Sequence, residues 1–273
     1  MKVIVISKRV WIGALVCILL LGLGLIMYFS VQESASEPTA PTMTAIDTYE
    51  LNAIPVMSRL VPVYRVSRDD HAIALTIDAA WSADKTPFIL DTLDQYGIKA
   101  TFFLCGVWVK AYPDMVKEIA ARGHEIGNHS MTHPHMNRIS ADEIKKELSS
   151  LDDEIEALTG KRTNLFRAPF GEYNDTVVST VRDMGYEVVQ WSIDTVDWKE
   201  GRSADTILKA VQPKLSDGSI ILSHNNGFEI ETYLPKLIEQ AQKAASALAS
   251  RHRPFTRSSR ERSIMVSAPC GLP

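Results

Sequence analysis

Apolar and polar positions divide the chain into regions with different periods. Residues 10–29 form an uncharged, apolar run preceded by Lys2, Lys8 and Arg9. At about 1.5 Å per residue it reaches roughly 30 Å, the thickness of a bilayer core. A helix apolar on all faces is either a membrane span or a helix buried in a core, and the span is favoured here. The run is expected to be a single-pass transmembrane signal anchor. Residues 1–9 are then cytoplasmic, and the chain beyond lies outside the cell membrane, since basic residues precede the run and acidic ones follow it. Cleavage near Ser34-Ala35-Ser36 would instead release a secreted protein. Residues 30–60 read as a stalk, polar, small and Pro-containing at their start.

From residue 61 to 250 the pattern is that of one folded domain. Residues 61–66 suggest a short leading strand. Short apolar runs at 72–77, 100–104, 125–127, 165–167, 187–191 and 219–222 read as buried strands. Between them lie helical stretches. Thr86-Pro87 opens one and Gly97 closes it. Pro113 begins a second, which runs to Arg122. Ser140 and Glu143 form a capping box, with Ile139 and Ile144 as its staple. Ile144, Leu148, Leu151, Ile155 and Leu158 then recur at helical spacing until Gly160. Further helices are expected near 175–184, 203–215 and 232–249. Strands alternating with helices over short links give an α/β fold with a parallel sheet. Six or seven such units in about 180 residues suit a small or incomplete barrel. Residues 251–273 are basic and lack apolar alternation. They read either as a solvated tail or as a closing strand lost to a frameshift, since codons for Arg-His-Arg moved by one base can encode Val-Thr-Val.

Composition adds mostly exclusions. A net charge of −4 gives no basic field for nucleic acid. Cys17, Cys105 and Cys270 show neither metal-site spacing nor the even count of a disulfide framework. Nothing in the sequence points to a protein partner.

The polar residues that interrupt the pattern fall at strand ends, where parallel barrels carry their chemistry. The first strand runs into Asp78, which is either a structural cap or a buried carboxylate with a shifted pKa. His129 and His133, four apart, are either loop histidines or a pair aimed at one metal ion. Arg167 ends the next strand, placed to pair with Asp78 or to face solvent. Asp194 and Asp197 lie between Trp191 and Trp198. His224 ends the last strand, as a core histidine or an acid–base group. Together they suggest metal-assisted hydrolysis of a carbonyl compound.

These residues stand in five segments: Thr76-Ile77-Asp78; Gly123 through His133; Arg167-Ala168-Pro169-Phe170-Gly171; Asp194-Thr195-Val196-Asp197-Trp198; and Leu222-Ser223-His224. In this order they resemble the motifs of NodB-homology polysaccharide deacetylases, carbohydrate esterase family 4, over about residues 61–240. The resemblance implies a deformed (β/α) barrel of about seven strands and hydrolysis of N-acetyl groups on a cell-wall polysaccharide. Peptidoglycan N-acetylglucosamine or N-acetylmuramic acid is favoured over chitin-type oligomers. It implies a divalent metal, usually zinc, on His129 and His133, and Asp78 as the base acting on water. Arg167 would orient Asp78, and His224 would be the acid, partnered by Asp197. The backbone N–H of Phe170 would meet the oxyanion, and Trp198 and Leu222 would line the acetyl pocket.

The sequence departs from the family pattern beside the base. A second aspartate there usually supplies the third metal ligand, and here that position is Ala79. Water, Asp84 or His135 would have to fill the gap, or the metal is lost. The form Ile77-Asp78-Ala79-Ala80-Trp81 resembles a Gram-positive, sporulation-associated branch. The competing expectation is a non-catalytic carbohydrate-binding or sporulation-structural protein that kept the fold.

Overall fold

The computed structural model describes residues 59–249, apart from residue 69. The expected anchor, most of the stalk and the basic tail lie outside the described residues. Among those described, no helix is long and apolar enough to cross a membrane.

The strand at the centre is β1 (Ala74–Ala79), buried along its whole length. It pairs in parallel with β2 (Thr101–Leu104) on one side and β7 (Ile220–His224) on the other. Outward from β2 follow β3 (Glu125–Asn128), β4 (Leu165–Phe166) and β5 (Glu187–Val188). Outward from β7 lies β6 (Ile193–Asp194), so the order is β5-β4-β3-β2-β1-β7-β6. All the pairings are parallel, as continuous apolar runs joined by helices require.

The order contains its own proof of curvature. β5 and β6 stand at opposite ends of the sheet, yet only residues 189–192 join them. That link reaches at most about 18 Å, whereas the edges of a flat seven-stranded sheet lie about 29 Å apart. The sheet is therefore curled into an incomplete barrel. The predicted leading strand is reduced to two bridges across the remaining gap: Val63 pairs with Val189 and Arg65 with Ser219.

Helices pack on the convex side. α1 (Thr86–Gln95) has Lys85 as its N-cap, so Thr86 is the first helical residue and not the predicted cap, with proline in the first turn. α2 (Gly106–Ala111), a single short helix, was not foreseen; its six residues are too few to show a period. α3 (Pro113–Ala121) and α4 (Ala141–Thr159) follow. α4 carries the predicted capping box of Ser140 and Glu143 and ends at left-handed Gly160. α5 (Asp175–Asp183), α6 (Ala204–Val211) and α7 (Ile230–Ala249) complete the set. Ile77, Phe102, Leu104, Leu90, Trp108 and Leu234 meet in the largest apolar cluster, between sheet and helices.

Candidate active site

The register of the central strands sets the chemistry. Asp78 of β1 lies directly beside His224 of β7 and beside Phe103 of β2. Neighbours in parallel register share a face, so the carboxylate and the imidazole emerge side by side at the strands' C-terminal ends. There they line a cavity of about 620 Å³, together with His129, His133 and Leu222. Phe170 and Trp198 line it too and remain exposed. Arg167 and Asp197 lie behind the wall, fully buried. Every residue predicted for the site is thus on the cavity wall or one layer behind it.

Arg167 is completely enclosed. Its Nη1 donates to Asp78 Oδ1 at 2.7 Å and to Thr76 Oγ1 at 2.8 Å. Nη2 donates to the carbonyl of Gln190 at 3.0 Å and Nε to that of Val189 at 3.3 Å. The guanidinium also lies 4.1 Å from the Phe103 ring centroid. Burial pushes the Asp78 carboxyl up, but the charge of Arg167, then those of His129 and His224, and the Arg167 hydrogen bond outweigh it and hold the group below its ordinary range. Asp78 is therefore an anion at neutral pH, with one oxygen committed to Arg167.

The imidazole pair comes from the loop after β3. His129 Nδ1 lies 2.8 Å from the carbonyl of Arg167. A carbonyl only accepts, so Nδ1 carries the proton and Nε2 the lone pair. Nε2 stands 3.8 Å from Asp78 Oδ2. The loop is not helical: Ser130 and His133 both have positive φ, 64° and 60°. Its shape is held by Asn128, whose side chain accepts from Ser130 N–H and donates to Leu148 C=O and to Asp152 of α4. The rings of His129 and His133 end 5.0 Å apart. Burial lowers the pKa of both, that of His133 to about 4, so both are neutral at pH 7.

Two neutral imidazoles, one with its tautomer fixed by a backbone carbonyl, form a donor pair suited to a divalent cation. No third protein donor joins them among the described residues. Ala79 is buried in the apolar cluster and is not part of the cavity wall. Among the described residues no group of three His, Cys, Asp or Glu is arranged to hold a metal. Of the expected substitutes, Asp84 is exposed and is not part of the cavity wall. His135 Nδ1 is bonded to Glu172 at 2.9 Å, and its ring stacks on Phe170. The residues fit a cation held by two histidines, not by three protein ligands.

His224 is held from behind. Its Nδ1 is 2.7 Å from Asp197 Oδ1, and its backbone N–H donates to Asp197 Oδ2 at 2.9 Å. Burial pushes the imidazole pKa down. The hydrogen bond and charge of Asp197, with the charges of Asp78 and Asp194, outweigh this and raise it. Asp197 has a further partner that the sequence did not reveal: Tyr233 Oη of α7 donates to Oδ2 at 2.5 Å. Gly227 makes room for the carboxylate, since a Cβ there would lie 2.1 Å from Oδ2. Tyr233 sits at helical spacing among Ile230, Leu234 and Leu237, all buried, so by pattern it is simply core. Asp194, between the two tryptophans, lines the cavity itself, and burial raises its pKa. Left-handed residues other than glycine mark the loops around the cavity: Ser82, Ser130, His133, Phe170 and Val196. Such backbone costs about 1–3 kcal/mol per residue and collects at functional sites.

A curled parallel half-barrel with this set of residues at its strand ends is the NodB-like architecture. A profile of the polysaccharide deacetylase family matches residues 65–189. A peptidoglycan-N-acetylglucosamine deacetylase of Bacillus cereus is 40% identical over 153 residues, covering 56% of this chain and 55% of that protein. The chain thus spans little more than half the length of such curated relatives. Among solved structures, the Bacillus subtilis family 4 carbohydrate esterase PdaA matches with a TM-score of 0.62 and 32% identity, over 67% of this chain and 79% of that one. A family 4 pseudoenzyme of Bacillus anthracis matches with a TM-score of 0.64 and 36% identity, over 67% and 64%. A mutant of that pseudoenzyme with restored enzymatic activity matches equally well, with a TM-score of 0.64. The chain belongs to the polysaccharide deacetylase family.

Proposed function

We propose that the protein hydrolyses N-acetyl groups of a cell-wall glycan, with peptidoglycan as the favoured substrate. The observation that carries this is the side-by-side register of Asp78 and His224 on one cavity wall. A base and an acid with oppositely shifted pKa values are what amide hydrolysis needs at neutral pH.

In this reading Asp78, kept ionised by Arg167, takes a proton from water as the water oxygen attacks the acetamide carbonyl. His224, kept protonated by Asp197, gives its Nε2 proton to the sugar nitrogen as the C–N bond breaks. Acetate and a free amine result. The Phe170 loop supplies a backbone N–H for the developing oxyanion. Leu222 and Trp198 enclose the acetyl methyl. A divalent cation on His129 and His133, zinc in the simplest case, would supply Lewis-acid polarisation of the carbonyl and of the water. Residues 10–29 would fix the domain outside the cell membrane, beside its substrate.

Ala79 favours a second reading. With two histidines in place of three protein ligands, the chain is a carbohydrate-binding or sporulation-structural relative that no longer turns over. Acetate release from purified peptidoglycan, with and without added zinc, separates the two. Release that Asp78→Asn abolishes supports the hydrolase. Absence of release at any zinc concentration, or release unaffected by Asp78→Asn, removes it. Carbonate extraction of membranes tests the anchor: a protein that washes off refutes it.

A further inference from the structure

The loop that carries the two histidines is gripped from outside the cavity by one side of α4. At its start, Asn128 Nδ2 donates to the Leu148 carbonyl at 2.9 Å and to Asp152 Oδ1 at 3.3 Å. Just before His133, Thr132 gives both of its polar hydrogens to Glu147: N–H to Oε2 and hydroxyl to Oε1, each at 2.8 Å. Glu147 and Asp152 lie outside the cavity wall, and the reaction uses neither. Asp152, 1% exposed, is the costlier of the two. A buried carboxylate has to be met by donors, whereas an apolar side chain at that point of α4 would simply pack. Thr163 Oγ1 donates to its Oδ1 at 2.5 Å and Tyr186 Oη to its Oδ2 at 2.7 Å, and Arg162 Nε stands 3.6 Å from Oδ2. Thr163 leads into β4 and Tyr186 into β5. The start of the histidine loop is thereby tied to a helix and to the approaches of two strands, by polar groups that one arrangement satisfies together.

We propose that Glu147 and Asp152 are positioning residues that set the spacing of His129 and His133 for a divalent cation. This rests on the cation reading of the imidazole pair given above. Ser130 and His133 hold left-handed backbone, and such strain persists only where its surroundings over-determine it. The bonds inside the loop start from Asn128: Ser130 N–H donates to Asn128 Oδ1 at 2.9 Å, and His133 N–H donates to Ser130 Oγ at 3.1 Å. Asp152 fixes the direction of that amide, and Glu147 fixes the far end of the loop. Two ligands hold an ion tightly only if they are ordered beforehand. With two imidazoles in place of three protein donors, that order rests on the loop between them, and α4 is what keeps the loop in shape.

Zinc titration of the full chain, by competition with a chromophoric chelator, tests the clamp. Wild type should bind one zinc that His129→Ala removes. Glu147→Ala and Asp152→Asn should each weaken that zinc by roughly 10–100-fold, the usual effect of losing a partner behind a metal ligand. Glu147→Gln keeps an acceptor for Thr132 N–H and should restore most of the affinity. The visible bands of the cobalt(II)-loaded chain should move in Glu147→Ala and return in Glu147→Gln. Glu147 is only half-buried, so its variants keep the test open where Asp152→Asn fails to fold, and the melting temperature of the metal-free chain should shift little in them. Zinc affinity unchanged in Glu147→Ala, a loss that Glu147→Gln does not restore, or a wild type with no zinc on the pair overturns the proposal. Acetate release measured on the same preparations keeps the two readings apart. Release by a wild type that binds no zinc eliminates the clamp and spares the hydrolase. Zinc binding that depends on Glu147, without release, does the reverse.

Discussion

Arg167 and Asp78 can be tested as a pair without any assay of activity. Replacing Arg167 by Met keeps the volume but leaves the Asp78 carboxylate, 5% exposed, with no cation. Removing one partner of a buried ion pair costs about 3–5 kcal/mol. The Gln190 and Val189 carbonyls lose their donors as well, adding about 1 kcal/mol. A loss of about 4–6 kcal/mol is large against the roughly 5–15 kcal/mol of a typical domain. Asp78→Leu strands the guanidinium and should cost about 3–5 kcal/mol. The double variant removes both charges and should be far less damaged than the sum, with a coupling energy above about 2 kcal/mol. Urea unfolding at pH 7, followed by tryptophan fluorescence, measures all four corners of the cycle. The sign with pH is fixed. The Asp78 pKa is lower in the fold than the roughly 3.9 of an unfolded chain, so its contribution is full above that value. It disappears as pH falls through the lower folded value. Additive losses at pH 7 would refute the account of Asp78 as a base kept ionised by Arg167.

Three further outcomes follow from the layer behind His224. Its pKa is raised in the fold, so the pair with Asp197 stabilises fully below about 6.5 and loses that effect as pH rises through the folded value. The stability gap between wild type and Asp197→Asn should therefore narrow from pH 6 to pH 9 in thermal melts. Tyr233→Phe removes a donor from Asp197 and should cost about 1.5–3 kcal/mol. It leaves the carboxylate more basic, and NMR titration of His224 should show a higher pKa; an unchanged value would mean that the tyrosine only packs. Gly227→Ala drives a methyl into the Asp197 carboxylate and should cost about 1–3 kcal/mol in chemical unfolding, with a loss of acetate release larger than that of Gly185→Ala, where nothing lies within 4 Å of the added carbon.

Much of this site could be read along the chain because parallel strands advertise their C-terminal ends. A polar residue that stops an apolar run, as Asp78, Arg167 and His224 do, is placed at the mouth of the barrel by topology alone. What the sequence hid was whatever depends on partners distant in the chain. Tyr233 and Asp197 are 36 residues apart, and the tyrosine is indistinguishable from its apolar neighbours until α7 packs against the β6–β7 end. Asp152 sits on the apolar side of α4, where a carboxylate reads as an error of pattern. In the fold it accepts from Asn128, Thr163 and Tyr186 and so steadies the histidine loop. Local strain is also silent in sequence. The left-handed turns at Ser130 and His133 replace the helical turn that four-residue spacing suggests. The short β5 and β6 merged into one expected strand because residues 187–194 form a single run that crosses the mouth of the sheet.

That crossing also bears on how the sheet guards its edges. A sheet that ends in open rungs invites a second molecule to add its own. Here the two outermost strands are two residues each and the chain passes from one directly to the other, while Val63 bridges to Val189 just past β5 and Arg65 to Ser219 just before β7. A neighbouring polypeptide would find footholds too short to zip onto.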